Sequence, residues 1–157
     1  MKSKNYKKII LAEFPVDIIL NLVEKRHVYF GKFRIYMNSI KLCVFKEKNA
    51  ICQFCKLRAT IFKLCVFLPK DISIKEAIEM QNFKHAFFNI YGEPQRSTER
   101  EFTLDHIVAR ANKGTNDISN LQPTCAKCNN LKGAIDNMRF KKMIIGVTKN
   151  YELVLKK

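Results

Sequence analysis

Residues 102–133 read FTLDHIVARANKGTNDISNLQPTCAKCNNLKG. Phe102–Val108 alternates in side-chain character as a strand does, and Ser119–Thr124 offers a partner strand across a polar loop containing Gly114. Cys125-Ala-Lys-Cys128 then opens a helix expected over residues 126–141. Strand, loop, strand and helix in that order predict a hairpin backed by a helix. Two neighbours, Asp105 and His106, sit near the end of the first strand. Successive strand residues point to opposite faces, so both can serve one centre only where the strand bends or ends. Alternation also puts Phe102, Leu104 and Val108 on the face of His106, as an apolar shelf beneath the imidazole.

The polar residues of this stretch have a definite chemistry. The Asp105 carboxylate and the amide oxygens of Asn120, Asn129 and Asn130 are hard donors of the kind magnesium accepts. His106 is the only histidine near them, and its ordinary pKa makes it a usable base at neutral pH. A base for water, a hard cation for a phosphate and a scaffold holding both are the requirements of phosphodiester hydrolysis.

Working outward, the Cys125–Cys128 pair has a counterpart in Cys52-Gln-Phe-Cys55. A two-residue gap lets both thiolates of a knuckle face one ion, and two knuckles complete a zinc tetrahedron. In a reducing compartment disulfides are the weaker expectation. The 69 residues between the pairs would become a loop closed by the ion. The remaining cysteines, Cys43 and Cys65, fall in an identical pentapeptide, KLCVF at 41–45 and 63–67; one copied pentapeptide is no repeat architecture, and both thiols are expected as small buried apolar groups.

Order and spacing together resemble the HNH nuclease family. Asp105-His106 ends the first strand, Asn120-Leu121 begins 14 residues after the histidine, and Asn129 follows at 23, directly after Cys128 in CAKCNNLKG. The HNH domains of RNA-guided nucleases share the 14 and 23 spacing. The resemblance is close over about residues 101–135 and reaches 50–56 through the upstream cysteines. It implies an α+β fold with a ββα-metal core stapled by a four-cysteine zinc site. It implies a DNA endonuclease cutting by a one-metal mechanism and leaving 5′-phosphate and 3′-hydroxyl ends. Carried over residue by residue, His106 is the general base, Asp105 and Asn129 hold magnesium or manganese, and Asn120 fixes loop and imidazole without touching the ion. The last motif letter is Asn, an H-N-N variant that favours hard ions. Ala109 stands where many relatives have proline, and Lys113-Gly114 where a Gly-Gly pair is common; neither touches a ligand. Arg110, Lys113, Lys127 and Lys132 flank the site as expected phosphate contacts. Rival readings are a non-catalytic zinc module that binds nucleic acid, and a nuclease acting on RNA or structured DNA.

The rest of the chain is read as one domain: a basic extension over 1–49, the first knuckle and a strand over 50–68, a helical insert over 69–100, the motif over 101–135 and a tail over 136–157. Expected elements are a helix over 16–26 behind Pro15, a hairpin over 27–36, a helix over 38–48 leading into the first knuckle and a buried strand over 59–68 ended by Pro69. A long helix over 73–91, a polar loop over 93–100 and a tail strand over 151–155 complete them. His27 and His85 are read as ordinary surface or core residues, His85 with no carboxylate beyond Glu79 nearby, and are assigned no role.

The whole chain has 157 residues, too few for two ordinary domains, and a net charge of +15 from 29 Lys plus Arg against 14 Asp plus Glu. Residues 1–60 carry net +9, 61–104 are neutral and 105–157 carry +6. That balance points to a polyanionic partner, and 12 Phe with 5 Tyr argue against a disordered chain. Lys exceeds Arg by 22 to 7, a bias suggesting an AT-rich genome such as that of a phage or other mobile element. The longest stretch without a charge, Ile118–Ala126, is nine residues, far short of the roughly 18 that a spanning helix needs. Glu13, Pro15 and Asp17 interrupt the signal-like start, so a cytoplasmic location is expected, with monomer or homodimer left open.

Overall fold

The computed structural model describes residues 5–31, 33–79, 86–92 and 100–144. Its frame is a five-stranded sheet of order β1-β4-β5-β6-β7, formed by Tyr6–Pro15, Ala59–Pro69, Phe87–Gly92, Glu101–His106 and Leu121–Cys125. The ladders joining these neighbours are antiparallel. β4 is the central apolar run, and Phe62, Leu64, Val66 and Leu68 on it are all buried.

The N-terminal stretch supplies the edge strand β1. Its signal-like apolar run alternates, sending Ile9 and Leu11 onto the cluster of Val66, Leu68 and Ala77. Pro15 then starts α1, Val16–Leu20, which stops short of the expected Arg26. The hairpin of β2 (His27–Phe30) and β3 (Phe33–Tyr36) forms as expected, as a separate two-stranded sheet. Its Phe30 meets Phe14 and Phe88 edge-on at 5.1 and 5.3 Å. α2, Ile40–Glu47, begins where the Ser39 hydroxyl accepts from the Leu42 N–H at 3.4 Å. It packs Phe45 edge-on against Phe102 of β6 at 6.1 Å and leads into the first knuckle.

Two expected helices are corrected. Among the described residues of 73–91, the helical ones are those of α3 (Ile74–Glu79), opened by a reciprocal capping box between Ser73 and Glu76. Phe87–Gly92 is strand β5, because Phe88 and Ile90 find Leu64 and Phe62 opposite them on β4. The insert 69–100 is therefore not simply helical: it contributes the middle strand of the sheet. The helix expected over 126–141 divides into α4 (Ala126–Lys132) and α5 over 137–144, because Gly133 takes φ +56 and ends the first. His85, the loop at 93–99 and the tail strand over 151–155 lie outside the described residues. Among the described residues no helix is long and apolar enough to cross a membrane.

Candidate active site

The four paired cysteines converge. One sulfur from each of Cys52, Cys55, Cys125 and Cys128 lies within 4.8 Å of the others. The Cys55 and Cys125 sulfurs are 3.7 Å apart. That is close to the edge of a tetrahedron with bonds of about 2.3 Å to a central zinc, and far beyond the ~2.05 Å of a disulfide. Local backbone explains the convergence. The first knuckle turns on Lys56 at φ +61, with the Lys56 N–H donating to the Cys52 carbonyl at 3.1 Å. The Gln53 N–H donates to the Pro123 carbonyl at 3.1 Å, tying that knuckle to β7. Cys125 occupies the residue just before α4 and Cys128 lies in its first turn. Burial first, then the charge of Cys52, pushes the Cys128 thiol far up, and burial raises Cys125 as well. Several thiolates cannot share this space without a cation, and the sulfur set fits zinc.

β6 and β7 form a regular hairpin in which Asp105 faces Gln122 and His106 faces Leu121, and α4 follows at once. A pocket of about 290 Å³ opens at the end of β6, lined by Asp105, His106, Ala109, Arg110, Asn129 and Lys132, among others. Asp105 and His106 reach it together because they are the last two residues of their strand. The shelf expected under His106 is incomplete: Phe102 is buried and Leu104 half-buried, but Val108 lies past the strand, where alternation ends, and is exposed.

The contacts of Asp105 are denser than the sequence indicates. One carboxylate oxygen accepts from the Lys132 ammonium at 2.9 Å, the other from the Gln122 amide at 2.8 Å. Lys132 also donates to the His106 carbonyl at 2.8 Å. Its side chain is 1% exposed against 6% for Asp105, so this is a buried ion pair. Lys132, expected beside phosphates at the surface, instead turns inward, because α4 aims it back at β6. Gln122 and Asn137 exchange amide hydrogen bonds at 2.7 Å, which links α5 to the same carboxylate.

The His106 Nε2 lies 2.9 Å from the Asn116 amide oxygen. An amide oxygen only accepts, so the neutral ring carries its hydrogen on Nε2 and leaves Nδ1 basic. Asn120 ties the loop to itself, accepting from the Val108 N–H at 2.9 Å and donating to the Val108 and Thr115 carbonyls at 3.2 and 2.9 Å. The loop is tight here: a Cβ on Gly114 would lie 1.8 Å from the Val108 carbonyl oxygen. Asp136 accepts from the Ala109 N–H at 2.6 Å and the Asn112 amide at 2.8 Å, and these bonds hold its carboxyl below the ordinary value of 3.8. Arg110, Lys113 and Lys127 are exposed.

Sequence reasoning missed Asn116, Gln122, Asp136 and Asn137. Each is a common turn or polar residue, and no spacing marks it. No curated protein matches the chain, and no solved structure does. Residues 92–134, from the last residue of β5 to just past α4, match the HNH endonuclease family model, and this stretch, pocket included, is an HNH domain.

Proposed function

We propose that the chain is a divalent-metal-dependent DNA endonuclease in which His106 is the general base. The observation that carries this is the meeting of Asp105, His106 and Asn129 in one pocket of an HNH domain. Asp105 and Asn129 offer a carboxylate and an amide oxygen, the donor chemistry of magnesium or manganese. Two of the roughly four acceptor positions of Asp105 are taken by Lys132 and Gln122, so capacity for an ion remains. Such an ion, when bound, neutralises charge on the phosphate and the leaving oxygen. His106 takes the proton of the attacking water on the nitrogen that Asn116 leaves free. Asn120 keeps the loop over 107–120 closed behind it. Arg110, Lys113 and Lys127 hold backbone phosphates on the exposed rim, and the products carry 5′-phosphate and 3′-hydroxyl ends.

One observation favours a second reading, a zinc-held module that binds nucleic acid without turnover: the Lys132 ammonium already stands where a metal would place positive charge. Cleavage separates the two. His106→Ala should lower cutting of supercoiled plasmid by about 10²–10⁴-fold while DNA binding and thermal stability stay unchanged. Undiminished cutting by that variant removes the base. A zinc-replete wild-type protein that leaves plasmid intact with manganese present removes the nuclease.

A further inference from the structure

The β2–β3 hairpin has two unlike faces. Its register pairs His27 with Tyr36 and Tyr29 with Arg34 on one side, and Val28 with Ile35 and Phe30 with Phe33 on the other. The second set packs against the core and Ile35 is buried. The first set faces outward, with Tyr29 66% and Tyr36 49% exposed. Arg34 and the flanking Lys25 and Arg26 are exposed as well.

Residues 25–36, which build and flank the outward face, contain no carboxylate. Glu24, the nearest in sequence, is bound to Lys46 at 2.6 Å. Arg34 instead donates to Nε2 of His27 at 2.8 Å. A neutral imidazole accepting at Nε2 carries its hydrogen on Nδ1, which is then a donor. Local desolvation, then the charges of Arg34 and Arg26, hold the His27 pKa below its ordinary value and keep the ring neutral. Guanidinium, imidazole N–H and two phenol hydroxyls offer several donors, with no anionic acceptor among residues 25–36. Phosphate oxygens are pure acceptors, and a duplex backbone presents them in a row.

We propose that the outer face of the β2–β3 hairpin, through Arg34, Tyr29 and Tyr36, binds the phosphate backbone of duplex DNA away from the cleavage pocket. The proposal rests on the nuclease reading and deepens it: it names the surface that holds the substrate outside the cut. Backbone contact of this kind adds affinity and register without reading sequence.

The test is binding of a labelled duplex by the full, zinc-loaded chain, with no magnesium or manganese added, over a series of salt concentrations. Arg34→Ala should weaken binding about tenfold and reduce the slope of log affinity against log salt by about one. Arg34→Glu should weaken it further, and Arg34→Lys should recover most of it. Tyr29→Ala with Tyr36→Ala should also weaken binding, with zinc content and melting temperature unchanged. Wild-type affinity in Arg34→Glu and in the double tyrosine variant overturns the proposal. So does a loss confined to single-stranded DNA or to RNA of the same length. A wild-type chain that binds no duplex overturns the nuclease reading itself, an outcome distinct from hairpin variants that bind normally.

Discussion

The four-cysteine cluster and the Asp105 pocket are both built on the same short hairpin, yet they meet their need for positive charge in opposite ways. Among the described residues no cation is bonded to the cysteine set; burial and mutual repulsion drive Cys125 and Cys128 toward the neutral thiol. The Asp105 carboxylate has its counter-charge built in, since Lys132 stands 2.9 Å away and both side chains are buried. The difference teaches where the fold depends on an ion and where it does not. The sulfur site fits a bound cation such as zinc, whereas the Asp105 carboxylate is balanced by a side chain of the protein itself.

The largest expected effect tests the first half of that contrast. Removing zinc with a chelator, or replacing Cys125 with serine, should unfold the chain cooperatively. Structural zinc sites of this type contribute on the order of 10 kcal/mol, more than a domain of this size holds in reserve. Circular dichroism during chelation reads it; a chain that keeps its melting temperature without zinc breaks the comparison.

The second half predicts a smaller loss at Asp105. Asp105→Ala strands the buried Lys132 ammonium and should cost about 3–5 kcal/mol in denaturant melts. Combining Lys132→Met with Asp105→Asn should restore much of that stability without restoring cleavage. Equal stability of Asp105→Ala and wild type would mean that the pair is not the pocket's internal balance. Gln122→Leu follows at about 1–3 kcal/mol, because it leaves both Asp105 and Asn137 short of a partner.

The smallest effect lies at the loop wall of the pocket. Asp136 has a lowered pKa in the folded chain, so its contribution is present above the ordinary 3.8 and is lost as pH falls through the lowered value. In acid titrations followed by fluorescence or circular dichroism, wild type and Asp136→Asn should differ at neutral pH and converge at the acid end.

What the sequence disclosed follows from how local each signal is. The hairpin over 27–36, the β6–β7 pair and the converging cysteines are written in alternation, turn residues and spacing, and they appear as read. The strands β1 and β5 were hidden by context. Basic residues before an apolar run imitate a signal peptide at β1, and the apolar positions between Ile74 and Tyr91 also fit a helical face. The two KLCVF copies make the same point within five residues. At 41–45 the peptide follows a Ser39 cap and is helical, with Cys43 half-buried. At 63–67 it continues the apolar run of β4 between two paired strands and is extended, with Cys65 fully buried. Tertiary partners decide between them. The partners of Asp105 were illegible for a related reason: an ion pair formed across 27 residues leaves no periodic trace.

The seam between β5 and β6 carries a mechanical consequence. The described register there consists of Ile90 with Phe102 and Tyr91 with Glu101, only two rungs. In addition to those rungs, the hairpin bearing the pocket is held to the body by the sulfur cluster, by the Gln53–Pro123 bond, by the Lys48 ammonium on the Leu121 carbonyl and by the core that packs Phe45 against Phe102. Side chains and sulfur, more than strand pairing, therefore hold the pocket's hairpin to the rest of the sheet.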